Sequence, residues 1–188
     1  MIIKHFEINK INLDKTQFIL FYGKNEGLKN QIKNKLLENK SITSNLEEKD
    51  IIDNSNSFIE SLLTQSFFEE EKIIFINRAT DKILKILSAI INKKIEKLII
   101  LLDADNLEKK SKLRSFFEKD KECVCVPFYP DTEQTLFKLA FEYIKIKKIP
   151  ISTSDLNLII NRCNGDRKIL LMELEKIEFY AKKGKKIN

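Results

Sequence analysis

The residues best placed to do chemistry lie in Gly23–Asn30, GKNEGLKN, a glycine-bearing turn between the apolar run Gln17–Tyr22 (QFILFY) and a helical pattern. Such a turn aims backbone N–H groups at a helix N-terminus, which is how a P-loop cradles phosphate. That motif needs four residues between its glycines, then Lys and a Ser or Thr that reaches magnesium. Here three residues separate Gly23 from Gly27, Leu28 follows the second glycine, Lys29 comes one position late and Asn30 replaces the hydroxyl. The other half of an ATPase site would be a buried strand followed by Asp then Glu, one carboxylate for magnesium and one to orient water. The run Lys97–Leu102 is followed by Asp103, but Ala104 comes next, and Asp105 one position on points elsewhere. Gly23, Gly27, Lys29 and Asp103 therefore read as a degenerate nucleotide loop not expected to bind ATP. A coincidental α/β protein with a glycine turn is the competing reading.

Cysteine and histidine offer little chemistry. Three cysteines and the lone His5 give no recognised zinc spacing. Cys123 and Cys125 sit two apart in an apolar run, on the same side of a strand, without the geometry to bridge each other. They read as small core residues in a reducing compartment, and no cofactor or metal is expected.

A second candidate is the pair Phe67-Phe68 within Ser57–Asn77 (SFIESLLTQSFFEEEKIIFIN). Phe58, Leu62 and Leu63 recur at helical spacing, and Ile73–Ile76 form a buried-strand run, so the pair falls where helix gives way to strand. Adjacent helical residues point about 100° apart, so both rings cannot face one small core. Either the pair closes the core under the strand, or an exposed Phe at the helix tip plugs a partner's pocket.

The elements that position these residues alternate. Strands are expected at Gln17–Tyr22, Ile73–Ile76, Lys97–Leu102 and Cys123–Val126, with helices over Leu28–Glu38, Asp81–Lys93 and Lys109–Phe117. Ser41–Asn54 is polar, with short strands open near Ile42–Thr43 and Ile51–Ile52, and Phe6–Ile11 carries a weak helical pattern. This alternation predicts a three-layer α/β sandwich with a mostly parallel sheet. Pro127 and Pro130 place a domain boundary, giving domains over 1–130 and 131–188. Beyond it three helices are expected: one capped by Asp131 with Gln134, one starting at Ser152 or Thr153 and closed by Asn164-Gly165, and one capped by Asp166.

With 188 residues and 43% hydrophobic content, the chain can form one mid-sized domain or a domain and a half. No apolar run approaches the roughly 18 residues of a membrane span, and MIIKHFEINK lacks a signal peptide's apolar core, so a cytoplasmic protein with no membrane partner is expected. The net charge is +6, and it is uneven: residues 1–130 carry 22 Lys and Arg against 20 Asp and Glu, and residues 131–188 carry 12 against 8. There Lys182, Lys183, Lys185 and Lys186 form either a solvated tail or a contact for phosphate or an acidic partner.

FILFYGKNEGLKNQI, SFFEEEKIIFI, LIILLDADNLEKKSKL, the Cys123–Pro127 strand, ISTSDLNLIINRCNGD and MELEKIEFYA recur in an order and spacing that span nearly the whole chain. Together they resemble the delta subunit of the bacterial DNA polymerase III clamp loader, a degenerate AAA+ family. The resemblance implies a P-loop-like α/β domain followed by a small helical lid, with the family's third, collar domain absent from these residues. It implies a non-catalytic subunit of a nucleotidyltransferase holoenzyme, one that binds the sliding clamp and holds its ring open without hydrolysing ATP. Expected partners are the clamp, the other clamp-loader subunits and, indirectly or weakly, DNA. The family's clamp contact resembles Ser-Leu-Phe, which falls on Ser66, Phe67 and Phe68 with Phe67 in the Leu position, and favours the plug. Gln65 beside it is either a hydrogen-bonding contact at the rim or an ordinary surface glutamine. Arg167 and Lys168 lie near a phosphate-sensing arginine of active relatives and are expected as surface charges or contacts to neighbours. Two other readings stand against this one: a small P-loop-like ATPase dependent on Lys29 and Asp103, and a basic nucleic-acid-binding module using the terminal lysines.

Overall fold

The computed structural model describes residues 1–38, 40–64 and 71–182. The chain divides into two compact units, one of residues 1–24 and 32–128, the other of residues 25–31 with the chain from Tyr129 on.

In the first unit five strands form one sheet: β1 (Phe18–Tyr22), β2 (Ser44–Glu47), β3 (Lys72–Asn77), β4 (Leu98–Ala104) and β5 (Cys123–Pro127). Their order is β2-β3-β4-β1-β5, and every neighbouring pair is parallel. The sequence dictates this through continuous apolar runs. A parallel strand covered on both faces has no polar side, and β1 and β5 are buried at every position and β4 at all but Asp103. The segment before β1 adds a bridge from Ile2 to Cys125, covering the outer edge of β5.

The helices of this unit are α1 (Glu26–Leu36, its first residues counted with the second unit), α2 (Glu48–Asp53), α3 (Ser55–Thr64), α4 (Leu84–Asn92) and α5 (Lys112–Lys119). On one face of the sheet, alternate strand residues such as Leu20, Ile76, Ile100 and Cys125 pack with Ile51 of α2, Leu62 of α3, Leu87 of α4 and Phe117 of α5. On the other face Lys33 of α1 sits 4.2 Å over the Phe75 ring, and Phe21 meets Phe128 with ring centroids 4.8 Å apart. Each fully buried Leu or Ile in these layers contributes about 1.5–3 kcal/mol.

The expected strand at Ile42–Thr43 lies two residues later, at β2, which is polar because it is an outer strand. The strand expected at Ile51–Ile52 is instead helical, in α2. Ile51 reaches the core there, while the Glu48 carboxylate, itself buried, accepts the Thr80 N–H (2.7 Å) and the Thr80 hydroxyl (2.8 Å). Residues His5–Lys10 form a 3-10 helix, and Asp81–Ile83 form a 3-10 turn ahead of α4. Helix α5 begins later than its apolar pattern indicates. Ser111 caps it, and the Asp81 carboxylate accepts the backbone N–H groups of Lys112 (3.0 Å) and Leu113 (2.9 Å).

The second unit is helical: α6 (Glu133–Lys147), α7 (Thr153–Arg162) and α8 (Arg167–Lys182) enclose Leu136, Ala140, Ile144, Leu156, Ile160, Cys163, Leu170 and Leu174. The cap expected from Asp131 and Gln134 is made one residue on, by Thr132 with Thr135, because Asp131 is engaged elsewhere. Ser152 caps α7, Asn164 and Gly165 turn the chain with φ of 47° and 82°, and Asp166 accepts the N–H groups of Lys168 and Ile169 at the start of α8.

Candidate functional site

Strand polarity decides which candidates can meet. Tyr22 at the end of β1 lies opposite Ala104 of β4 and Pro127 of β5, so Gly23 and Asp105 emerge together at the carboxyl edge of the sheet. The chain leaves β1 toward β2 on one side and leaves the adjacent β4 toward β5 on the other. That makes this edge a topological switch point, where open α/β sheets place ligands.

Gly23 is fixed there by its surroundings. Its N–H donates to the Asp105 carbonyl at 3.2 Å, its φ is +125°, and a Cβ on it would fall 2.1 Å from the Phe128 carbonyl oxygen. Asp103 is half-buried, in register with Phe21.

At the start of α1 the groups that would meet a phosphate are held by protein partners. The Asn25 side-chain oxygen accepts the Leu28 N–H at 3.0 Å, capping the helix, and its amide nitrogen donates to the Tyr129 carbonyl (3.0 Å) and to Asp131 (2.7 Å). Arg167 grips the same carboxylate with two parallel bonds of 2.8 Å, Nε to Oδ2 and Nη2 to Oδ1, and its Nη1 donates to Gln31 at 3.0 Å. The Arg167 and Asp131 side chains are only 10% and 4% exposed. Burial pushes the Asp131 carboxyl up, but hydrogen bonds from Arg167, Asn25 and Thr135 outweigh it and hold it below the usual range. Arg167 is therefore not a surface charge; it is the buried half of an ion pair, whereas Lys168 is exposed. A Cβ on Gly27 would sit 3.1 Å from the Lys168 backbone nitrogen, so this glycine makes room for the start of α8. Lys29 is 3% exposed and its ammonium lies 2.6 Å from Glu26.

Sequence reasoning missed the roles of Asn25 and Asp131. An Asn ahead of a helix is a strong cap signal that Asn25 carried in plain view, but the pairing of Asp131 with Arg167 spans two helices and leaves no local trace. The buried thiols are inert: burial, with Asp120 adding to it, pushes Cys123 up to about 12, and burial pushes Cys125 up to about 11. Among the described residues no group of three His, Cys, Asp or Glu comes together for a metal, and no helix is long and apolar enough to cross a membrane.

Gln65, Ser66, Phe67 and Phe68 lie outside the described residues, as do Lys183, Lys185 and Lys186. What brackets the phenylalanine pair is described. α3 ends at Thr64 with Leu62 in the core and Leu63 40% exposed. β3 is entered from Glu71, whose carboxylate accepts from Lys40 at 2.6 Å, and the next residues are fastened by Lys72 N–H to the Lys97 carbonyl and Ile73 N–H to the Thr43 hydroxyl. This entry is at the amino edge of the sheet, opposite Gly23. Lys182 closes α8 and pairs with Glu178 at 2.7 Å.

With this geometry in hand, comparison with known proteins gives two kinds of likeness. The model of the family described as DNA polymerase III, delta subunit, matches residues 19–128. No curated protein matches the sequence. Among solved structures the chain is similar to the Bacillus subtilis DNA clamp loader delta protein YqeN, with 16% identity and a TM-score of 0.59, over 94% of this chain and 57% of that one. It is similar to domain III of the Thermotoga maritima replication initiation protein DnaA, with 12% identity and a TM-score of 0.51, over 98% and 84% of the two chains. It is also similar to Thermotoga maritima RuvB, with 15% identity and a TM-score of 0.51, over 85% and 53%. At these identities the structural likeness speaks for the fold, which is the AAA+, P-loop-like α/β fold expected from the sequence. The chain spans 57% of the length of the clamp loader delta protein.

Proposed function

This chain belongs to the DNA polymerase III, delta subunit family, and from that premise we propose that it binds the sliding clamp and favours the open form of its ring, without hydrolysing ATP itself. The observation that carries the reading is the family match over residues 19–128, which takes in Ser66-Phe67-Phe68. Phe67 and Phe68 are the plug, and Ser66 precedes it. The anchoring of Leu62 on one side and of Glu71 on the other supports a contact presented from a firm base.

Burying two large apolar side chains contributes roughly 3–6 kcal/mol before ordering costs, enough for a hot spot to dominate an interface. Opening a ring then needs no chemistry in this subunit. A protein that binds the open clamp better than the closed one shifts the equilibrium by its differential affinity. The remaining clamp-loader subunits are the partners that would supply ATP-driven steps, and the helical second unit is the lid in this reading.

The test is binding of the chain to a bacterial sliding clamp beside the Phe67→Ala/Phe68→Ala variant, with circular dichroism on both. The expected result is a folded variant whose affinity falls by about a hundredfold or more, the loss that roughly 3 kcal/mol implies. A folded variant that binds as the wild type does, or a wild type that ignores the clamp, overturns the proposal.

A further inference from the structure

Between α6 and α7 of the second unit lies a groove of about 480 Å³, lined by Glu133, Gln134 and Phe137 from α6 and by Asn157, Ile160 and Asn161 from α7. Phe137 and the buried Ile160 make an apolar floor. Phe141, 46% exposed and stacked on Phe137 with ring centroids 6.1 Å apart, continues that floor along α6. Three primary amides stand around it. Gln134, Asn157 and Asn161 are exposed, and their side chains are engaged by no other group among the described residues. A primary amide offers N–H donors and a carbonyl acceptor, the same two functions that a peptide group presents.

Asn157 and Asn161 are one turn apart on α7, about 6 Å along the axis at 1.5 Å per residue. In an extended chain the peptide groups facing one side recur every second residue, about 6.6 Å apart at 3.3 Å per residue. Both amides can therefore meet one extended segment in the same orientation, each donating to a carbonyl and accepting an N–H. A helical occupant would satisfy its own backbone and leave these amides nothing to bind. Glu133 and Phe137 repeat the one-turn step on α6. Alternate side chains of an extended segment, spaced like its peptide groups, then fall one on the Phe137 ring and the next beside the Glu133 carboxylate. An apolar residue suits the first place and a lysine or arginine the second.

Charge narrows the occupant further. Glu133 is the one charged residue lining the groove, although residues 131–188 carry 12 Lys and Arg against 8 Asp and Glu. A wall with an acid and no base repels phosphate, which argues against a nucleic acid. We infer that the α6–α7 groove takes an extended segment of a partner polypeptide. Asn157 and Asn161 clamp its backbone, Phe137 and Ile160 receive an apolar side chain, and Glu133 pairs with a basic one. Neither this site nor the clamp contact proposed at Phe67 and Phe68 needs the other.

Heteronuclear NMR of the isotopically labelled chain reads the groove directly, because side-chain amides give their own signals. The probe is a capped pentapeptide with a central leucine, a lysine at each end and alanines between. Saturable shifts of the Gln134, Asn157 and Asn161 side-chain signals are expected. Asn157→Leu/Asn161→Leu keeps the side-chain size and removes the hydrogen bonds, and it is expected to weaken binding about tenfold or more. A groove that merely takes up apolar side chains would bind that folded variant as well or better, and this result overturns the inference. The same peptide N-methylated at every peptide bond is expected to leave the wild-type signals unmoved; equal binding overturns the backbone clamp. Glu133→Gln is expected to weaken the lysine probe and to spare one with norleucine in both lysine places. A wild type without saturable shifts up to millimolar probe also overturns the inference, as does a DNA oligonucleotide that moves the same signals as strongly. Phe67→Ala/Phe68→Ala is expected to keep the probe's affinity and the asparagine variant full clamp affinity, so the two proposals fail separately.

Discussion

At the scale of single residues, the turn after β1 owes its glycine to a neighbour and not to a ligand. Gly23 holds φ +125° beneath the Phe128 carbonyl, and a methyl group there would meet that oxygen at 2.1 Å. Gly23→Ala must therefore both adopt a strained backbone, worth about 1–3 kcal/mol, and push a carbonyl aside. We expect a loss of at least about 2 kcal/mol in urea unfolding; a loss under about 1 kcal/mol would mean that the turn relaxes freely. The sequence announces the glycine turn but not its cause, because Phe128 lies far along the chain. Lys29 is similar. Its offset from a P-loop is visible in GKNEGLKN, while its burial against Glu26 follows from packing that no spacing reveals. Asn25 is the opposite case, a cap whose residue type and position were sufficient to assign it.

At the scale of elements, what was legible tracked how many faces an element buries. β1, β3, β4 and β5 read directly because their cores are continuous apolar runs, and the amphipathic spacing of α6, α7 and α8 gave their inward faces. β2 and α2 did not read, since an outer strand of sequence SNLE carries no pattern and Ile51-Ile52 suits either period. The start of α5 was misplaced because Asp81, from another element, fixes it. Helices α6 and α8 are tied by Glu178, which accepts from Tyr143 at 2.5 Å and pairs with Lys147 at 3.3 Å and with Lys182. Lys182, then Tyr143 and Lys147, hold its carboxyl down at about 2, below the ordinary 4.5. A carboxyl depressed on folding stabilises fully above its unfolded pKa and loses that contribution as pH falls toward the folded one. Asp131 acts in the same direction. The urea midpoint should therefore fall between pH 4.5 and 2, and fall less in Glu178→Gln, whose neutral amide has no proton to gain. Parallel pH profiles for the two proteins would remove Glu178 from the account.

At the scale of the whole molecule, the question is whether this fold still answers to nucleotide. The family resemblance was legible because six short stretches keep their order over the chain, and none of them alone specifies a parallel β2-β3-β4-β1-β5 sheet. That sheet supplies a switch-point edge suited to a ligand, so an ATPase remains the rival that the fold itself raises. The side chains argue against it. The Leu28 N–H is already taken by Asn25, the buried Lys29 is paired with Glu26, and Arg167 holds the Asp131 carboxylate with two bonds. Breaking a buried, hydrogen-bonded pair of that kind costs about 3–5 kcal/mol. Set against a weak nucleotide site, a cost of that size lowers affinity by about two to four orders of magnitude. Calorimetric titration with magnesium ATP is therefore expected to give no heat of binding up to millimolar nucleotide, with wild type and Lys29→Ala indistinguishable. Saturable binding lost in Lys29→Ala or Asp103→Ala would restore the ATPase and make clamp binding, if it persists, a nucleotide-controlled step instead of an intrinsic property of the chain.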